Sequence, residues 1–230
     1  MISFSGIDCS GKSTQINLLV KYFEEKDKKC EVVWSRGGYT PGVDFVKRII
    51  RRGKTTTKEE RLAQSAEVNE NPTKRKLLFI ASLMDLWRFY TISLRIKGVG
   101  KEVICDRYIW DTYIDFKMKY PEFDFENGFW WRLTLKTMVK PKPSFCLFIP
   151  AEMSMYRSTL KEEPFPESVE VRHERINWYI REVKNNRWQY QIDATKSIDE
   201  VFAQIMDHLG EEFHDEDITD AQKRGLLHNK

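Results

Sequence analysis

Gly6-Ile7-Asp8-Cys9-Ser10-Gly11-Lys12-Ser13-Thr14 is the stretch on which the reading of the fold turns. The apolar run Ile2-Ser3-Phe4-Ser5 precedes it, and Gln15-Ile16-Asn17-Leu18-Leu19-Val20 follows. A glycine-rich loop is thus expected between a strand and a helix, the context in which such a loop cradles phosphate. Gly6 and Gly11 permit a bend whose N–H groups face inward, Lys12 reaches the outer phosphates, and the Ser13 hydroxyl can ligate Mg²⁺. The expected ligand is a nucleoside triphosphate, with Asp8, Cys9, Ser10 and Thr14 completing the wall around it.

Working outward, 230 residues with 41% hydrophobic and 13% aromatic content suffice for one sizeable core. Lys and Arg total 38 against 35 Asp and Glu, so net charge gives no global case for nucleic acid or a membrane surface. Local patches must carry any such claim. Seven cations between Lys47 and Arg61 make one, read as a solvated helix face or as a site for phosphate-rich acceptors or nucleic acid. Cys9, Cys30, Cys105 and Cys146 form no CxxC pair, and three lie in or beside apolar runs. A reducing cytoplasm is expected. No basic leader with a long apolar stretch opens the chain and no run approaches 18 uninterrupted apolar residues, so neither export by that route nor membrane spanning is expected.

Short β-rich runs recur at Ile2 to Ser5, Glu31 to Arg36, Glu102 to Tyr108, Ser144 to Pro150 and Trp188 to Asp193. Helical patterns separate them: Ser13 to Lys26, Val43 to Arg52, Lys58 to Lys97 with an interruption at Pro72, Thr112 to Tyr120, Phe129 to Val139, Glu152 to Leu160, Ser168 to Lys184 and Ile198 to Leu209. The alternation predicts an α/β fold, a five-stranded parallel sheet with helices on both faces and ligand chemistry along the strands' carboxyl edge. The proline-containing break Glu162-Glu163-Pro164-Phe165-Pro166 reads as a short lid, about residues 154–168, or as a surface turn. One domain is expected over residues 1–210, with 211–230 a charged tail.

At the third strand, Val103-Ile104-Cys105 runs into Asp106-Arg107-Tyr108, which puts an acid and a base at the phosphate edge. Asp106 could hold Mg²⁺ or its water, and Arg107 could clamp a phosphoryl group. Taken together, Phe4 to Gln15 and Cys105-Asp106-Arg107-Tyr108 closely resemble the two leading motifs of the thymidylate kinase family. Leu77-Leu78-Phe79 with Ala81, Arg175 to Tyr179, and Ile192-Asp193-Ala194-Thr195 followed by Ser197 to Phe202 extend the resemblance over about residues 1–210.

The resemblance implies a three-layer P-loop kinase fold and transfer of the γ-phosphoryl group of ATP, with Mg²⁺, to a nucleoside monophosphate. It implies that Lys12 and Ser13 serve ATP and metal, that Asp8 faces the acceptor's sugar, and that Arg107, with Tyr108 beside it, holds the acceptor phosphate. Phe79 would stack on the acceptor base, and Asp193, Ala194, Thr195 and Lys196 would border adenine. Arg157 and Lys161 would approach the transferring group from the lid. A homodimer is also implied, and the apolar face of Leu77 to Leu94 reads either as its surface or as core.

Two positions depart from the family pattern. Leu83 occupies the site, four residues after Phe79, of an arginine that helps orient the acceptor base. The loop Arg36-Gly37-Gly38-Tyr39-Thr40-Pro41-Gly42 keeps an arginine for the acceptor phosphate but lacks the usual acid and proline ahead of its glycines. These departures admit an alternative, a kinase acting on a hydroxyl of another acceptor, such as a nucleoside, a sugar or a hydroxymethylated pyrimidine in DNA. That chemistry needs a base, for which Asp8 and Asp106 are the candidates.

Overall fold

Strand β1 (Ile2–Gly6) is buried at all five positions, the pattern of a central strand covered on both faces. The structure, a computed structural model, describes residues 1–35, 71–160 and 167–213. Arg36, the expected helix at 43–52, the basic segment, Lys161 and all but the first residues of the expected tail lie outside the described residues. After β1 come α1 (Lys12–Glu25), β2 (Cys30–Trp34) and α2 (Pro72–Arg88), which passes through a π-helical turn, Phe89–Ser93, into a last turn, Leu94–Lys97. Then follow β3 (Glu102–Asp106), α3 (Ile109–Lys119), α4 (Phe129–Thr137), β4 (Ser144–Phe148), α5 (Ala151–Leu160), α6 (Val169–Lys184), β5 (Tyr190–Asp193) and α7 (Ile198–Phe213).

All five strands are parallel, in the order β2-β3-β1-β4-β5. The chain leaves β1 past β3 to reach β2, and leaves β3 in the other direction past β1 to reach β4. Right-handed connections running opposite ways put their helices on opposite faces and open a crevice at the carboxyl ends of the central strands. Register aligns those ends: Phe4 and Trp34 both pair with Asp106, Gly6 with Leu147, and Phe148 with Asp193.

The described chain divides into two compact units. The first, drawn from Met1–Trp34, Lys97–Lys119 and Lys140–Lys230, holds the entire sheet. Phe4 stacks on Phe145 with centroids 5.3 Å apart, and Phe145 on Tyr190 at 5.6 Å. Helix α7 packs beside α1, and α6 beside α3. Val201, Phe202, Ile205, Met206 and Leu209 recur at helical spacing on α7 and are all buried, so that helix is an amphipathic cover for the sheet. Cys105 and Cys146 are buried in the strands. Burial pushes both thiols up, Cys105 to about 12, which leaves them as packing groups.

The second unit, from Ser35–Ile96 and Tyr120–Val139, packs α2 against α4. Pro72 opens α2 at its first turn, where a missing N–H costs nothing, and the Asn71 side chain accepts from Thr73 and Lys74 N–H at 3.1 and 3.0 Å. Phe79 is 3% exposed, with its ring centroid 4.9, 4.8 and 5.6 Å from those of Tyr120, Phe123 and Phe125. Leu83, one turn later, is buried as well. By length and composition alone, Pro72–Lys97 could cross a membrane. A helix buried against a neighbour meets the same test, and here Asp85 and Arg88 form an ion pair at 2.8 Å within it while α4 packs along one side.

Candidate active site

Glycine is required where β1 turns into the loop. Gly6 has φ 136°, and a Cβ there would stand 2.4 Å from the Leu147 carbonyl oxygen. Cys9 at φ 60° and Gly11 at φ 91° continue the winding, and the chain enters α1 directly. The N-cap residue is Gly11, which has no side chain to cap the helix, and the first turn holds no acid, so the orphan N–H groups and positive dipole end there suit an anion.

The loop's carbonyls are held from outside. The Lys12 ammonium donates to Gly6 O at 2.8 Å, Ile7 O at 2.7 Å and Ser10 Oγ at 3.3 Å. The Ser154 hydroxyl of α5 donates to Asp8 O at 2.8 Å, and Arg157 of the same helix to Cys9 O at 3.5 Å and Ala194 O at 3.1 Å. Four successive carbonyls, residues 6 to 9, are therefore turned toward side-chain donors. Ser154 in turn accepts from the guanidinium of Arg172, which is 1% exposed and also donates to Ser158 Oγ at 3.1 Å. Burial of Lys12, reinforced by the charge of Arg107, brings its ammonium down from 10.5 to about 8.

A polar pocket of about 180 Å³ opens beside the loop, lined by Asp8, Lys12, Ser13, Thr14, Trp34, Asp106 and Arg107. The tertiary structure thus gathers five of the expected site residues, Asp8, Lys12, Ser13, Asp106 and Arg107, around one space. Arg107 has φ 75°, uncommon for a residue with a side chain, and is held by its N–H to Phe4 O at 2.8 Å and by ion pairs to Asp8 and, at 3.6 Å, to Asp111. Asp106 Oδ1 is buried with no hydrogen-bond partner among the described residues, and burial raises this carboxyl above its ordinary range against the opposing pull of Lys12 and Arg107. An unpartnered carboxylate oxygen in a pocket that Ser13 also lines suits a hard cation. Among the described residues no cluster of three or more His, Cys, Asp or Glu could hold a metal by itself, so a cation here takes most of its ligands from phosphate and water.

A second cavity, about 300 Å³, lies on the other side of the loop between Gly11, Gln15, Arg157, Leu160, Ala194, Lys196 and Ile198. Two of the four residues expected at an adenine, Ala194 and Lys196, line it. Asp193 instead shapes the turn, accepting from Thr195 N at 3.0 Å and Thr195 Oγ1 at 2.6 Å. Tyr108 is 2% exposed, and what it adds to the site is its main-chain N–H, which Asp111 accepts at 2.9 Å. Phe79 and Leu83 lie in the second unit, and Arg36 outside the described residues.

Sequence reasoning missed Asp111, Ser154, Arg172 and Trp34. Asp111 carried a signal, an acid inside the aromatic and β-branched run Tyr108-Ile109-Trp110-Asp111-Thr112-Tyr113-Ile114. Ser154 and Arg172 had none beyond a polar residue on each of two helices.

With this geometry in hand, residues 4–205 match the family model described as Thymidylate kinase. Similar proteins bearing that name come from Mesomycoplasma hyopneumoniae (strain J), 29% identical over 90% of this chain and 94% of that protein, and Thermosipho africanus, 30% identical over 89% and 94%. A third, from Fervidobacterium nodosum, is 30% identical over 89% of this chain and 95% of its own.

Proposed function

The chain belongs to the thymidylate kinase family, and from that premise we propose that this ATP-dependent nucleotide kinase passes the γ-phosphoryl group of ATP to the phosphate of a deoxynucleoside monophosphate. The observation that carries the acceptor side is the single pocket of about 180 Å³ where Lys12, Ser13, Asp106, Arg107 and Asp8 converge. It offers cations for two phosphoryl groups and oxygens for a metal.

A phosphate monoester is already largely dianionic at neutral pH, so it needs orientation and charge neutralisation rather than a base. In this reading the amides at the start of α1 take the β-phosphate, Lys12 spans β- and γ-oxygens, and Arg107 draws the acceptor phosphate into line. Ser13 and Asp106 are the groups that would hold Mg²⁺, which supplies neutralisation of charge on the β- and γ-oxygens. Asp8, ion-paired to Arg107, is available to the acceptor's sugar hydroxyl. The cavity by Ala194 and Lys196 takes the adenine, with Arg157 as one wall. Bringing the two phosphates in line while excluding water is where most of the rate gain arises.

The same reading includes self-association. Leu77, Met84 and Ile92 recur along one face of the helical run in the second unit and are 56%, 44% and 43% exposed, a stripe suited to a second copy of the chain.

Radiolabelled ATP with Mg²⁺ and a panel of deoxynucleoside monophosphates, nucleosides and sugars tests the acceptor class. Label appearing in a nucleoside diphosphate supports the proposal. Label on a hydroxyl, with none on any monophosphate, overturns it.

A further inference from the structure

Among the described residues, Asp8 and Asp111 are carboxylate partners of Arg107 and differ in character. Asp8 is on the pocket wall with its side chain 31% exposed, whereas Asp111 is 1% exposed and is not part of the pocket lining. Burying an ionised carboxylate is costly unless donors surround it. Asp111 has them: Ser5 Oγ at 2.5 Å, Tyr179 hydroxyl at 2.5 Å, Tyr108 N–H at 2.9 Å and Gly6 N–H at 3.4 Å, besides the Arg107 guanidinium at 3.6 Å. Those groups come from β1, the entry to the phosphate loop, the β3–α3 turn and α6. The residues that supply them are all buried.

We propose that Asp111 is the positioning residue that fixes the Arg107 guanidinium at the pocket floor, and that Asp8 is its exchangeable cover, giving way when a phosphomonoester arrives. The left-handed backbone of Arg107 needs such an anchor, since that conformation persists only where the surroundings over-determine it. A guanidinium held from below by one immobile carboxylate keeps donors facing the pocket after the Asp8 contact is broken. Asp111 does not line the pocket, and its proposed effect on the acceptor is exerted through Arg107. This assignment rests on the acceptor reading given above.

The consequence is a pair of opposite signs. Electrostatics alone makes removal of either negative charge tighten binding of an anion. Positioning predicts that Asp111→Asn weakens it while Asp8→Asn does not. Calorimetric titration of the ADP-saturated protein with thymidine monophosphate and with inorganic phosphate should give a dissociation constant raised about tenfold or more in Asp111→Asn, the worth of one misaligned charge-assisted bond. Asp8→Asn should leave inorganic phosphate binding equal or tighter, and in Asp111→Asn the loss of phosphate affinity should exceed any loss of ADP affinity by about threefold or more. Tyr179→Phe, which removes one donor to Asp111, should move phosphate affinity in the same direction by a smaller factor, and it supplies the readout where Asp111→Asn does not fold. Tighter phosphate binding in Asp111→Asn, or unchanged phosphate binding in Tyr179→Phe, refutes the assignment. Equal loss of ADP and phosphate affinity also refutes it, reducing Asp111 to a scaffold residue. A wild-type protein that binds ADP and inorganic phosphate but no monophosphate defeats the acceptor reading, and the two phosphate titrations still decide the role of Asp111.

Discussion

Replacing Ser154 by alanine tests how the phosphate loop is held. The hydroxyl is fully buried, donates to the Asp8 carbonyl at 2.8 Å and accepts from the Arg172 guanidinium. Losing a neutral bond costs about 1 kcal/mol and losing the acceptor of a charged donor about 2 kcal/mol. Alanine returns about 0.5 kcal/mol through its better helix propensity within α5. The net destabilisation, about 2.5 kcal/mol, lowers Tm by roughly 5 to 10 °C in a chain of this size. Because one of the two lost bonds restrains a loop carbonyl, ADP affinity should also fall, about five- to tenfold. Ser158→Ala is the control. That hydroxyl accepts from Arg172 at 3.1 Å and donates back to Met155 O, away from the loop. It should lower Tm while leaving ADP affinity unchanged. Differential scanning calorimetry and ADP titration on both variants separate the two effects. A Ser154→Ala protein with wild-type ADP affinity, or a Ser158→Ala protein that loses it equally, would show that α5 does not govern the loop.

Three further outcomes are expected. Lys12, at about 8 in the free protein against an ordinary 10.5, regains its charge beside a polyphosphate, so ATP affinity should be flat below pH 8 and fall up to tenfold per unit above it, with proton uptake visible by calorimetry in buffers of different ionisation enthalpy. The sign for stability is opposite: between pH 8 and 10.5 the unfolded chain keeps the proton that folded Lys12 has released, so the Lys12 contribution to stability rises with pH, and a Lys12→Met variant should lack both dependences. Asp106→Asn should raise the Mg²⁺ concentration needed for half-maximal transfer by about tenfold with ADP binding in the absence of metal unchanged; an unaltered Mg²⁺ titration would remove Asp106 from the metal role. Leu77→Lys combined with Met84→Lys should shift the chain to monomer in analytical ultracentrifugation, and a monomeric wild type would dismiss the dimer face.

Strand and helix identities were legible because the chain obeys local rules. Five β-rich runs fall within two residues of the observed strands, and Pro72 and Asn71 mark the start of α2 as a proline and a cap should. The phosphate loop was legible for the same reason: its glycines, lysine and serine lie within nine consecutive residues, and spacing along the chain fixes their spacing in space.

Strand order was not contained in any such local signal. Parallel strands pair with distant segments, and only packing of helices on both faces selects β2-β3-β1-β4-β5, which brings Trp34 and Asp106 level with the loop. The same holds for the groups that support the site. Asp111 reaches Ser5 and Tyr179 across 106 and 68 residues, and Ser154 reaches Asp8 across 146. A buried carboxylate or hydroxyl is stable only where its donors converge, and that convergence is a property of the folded chain. The sequence alone nominated the residues proposed to bind phosphate; the tertiary structure decided which buried partners hold them in place, because desolvation makes every unpaired polar group expensive and so forces the pairing.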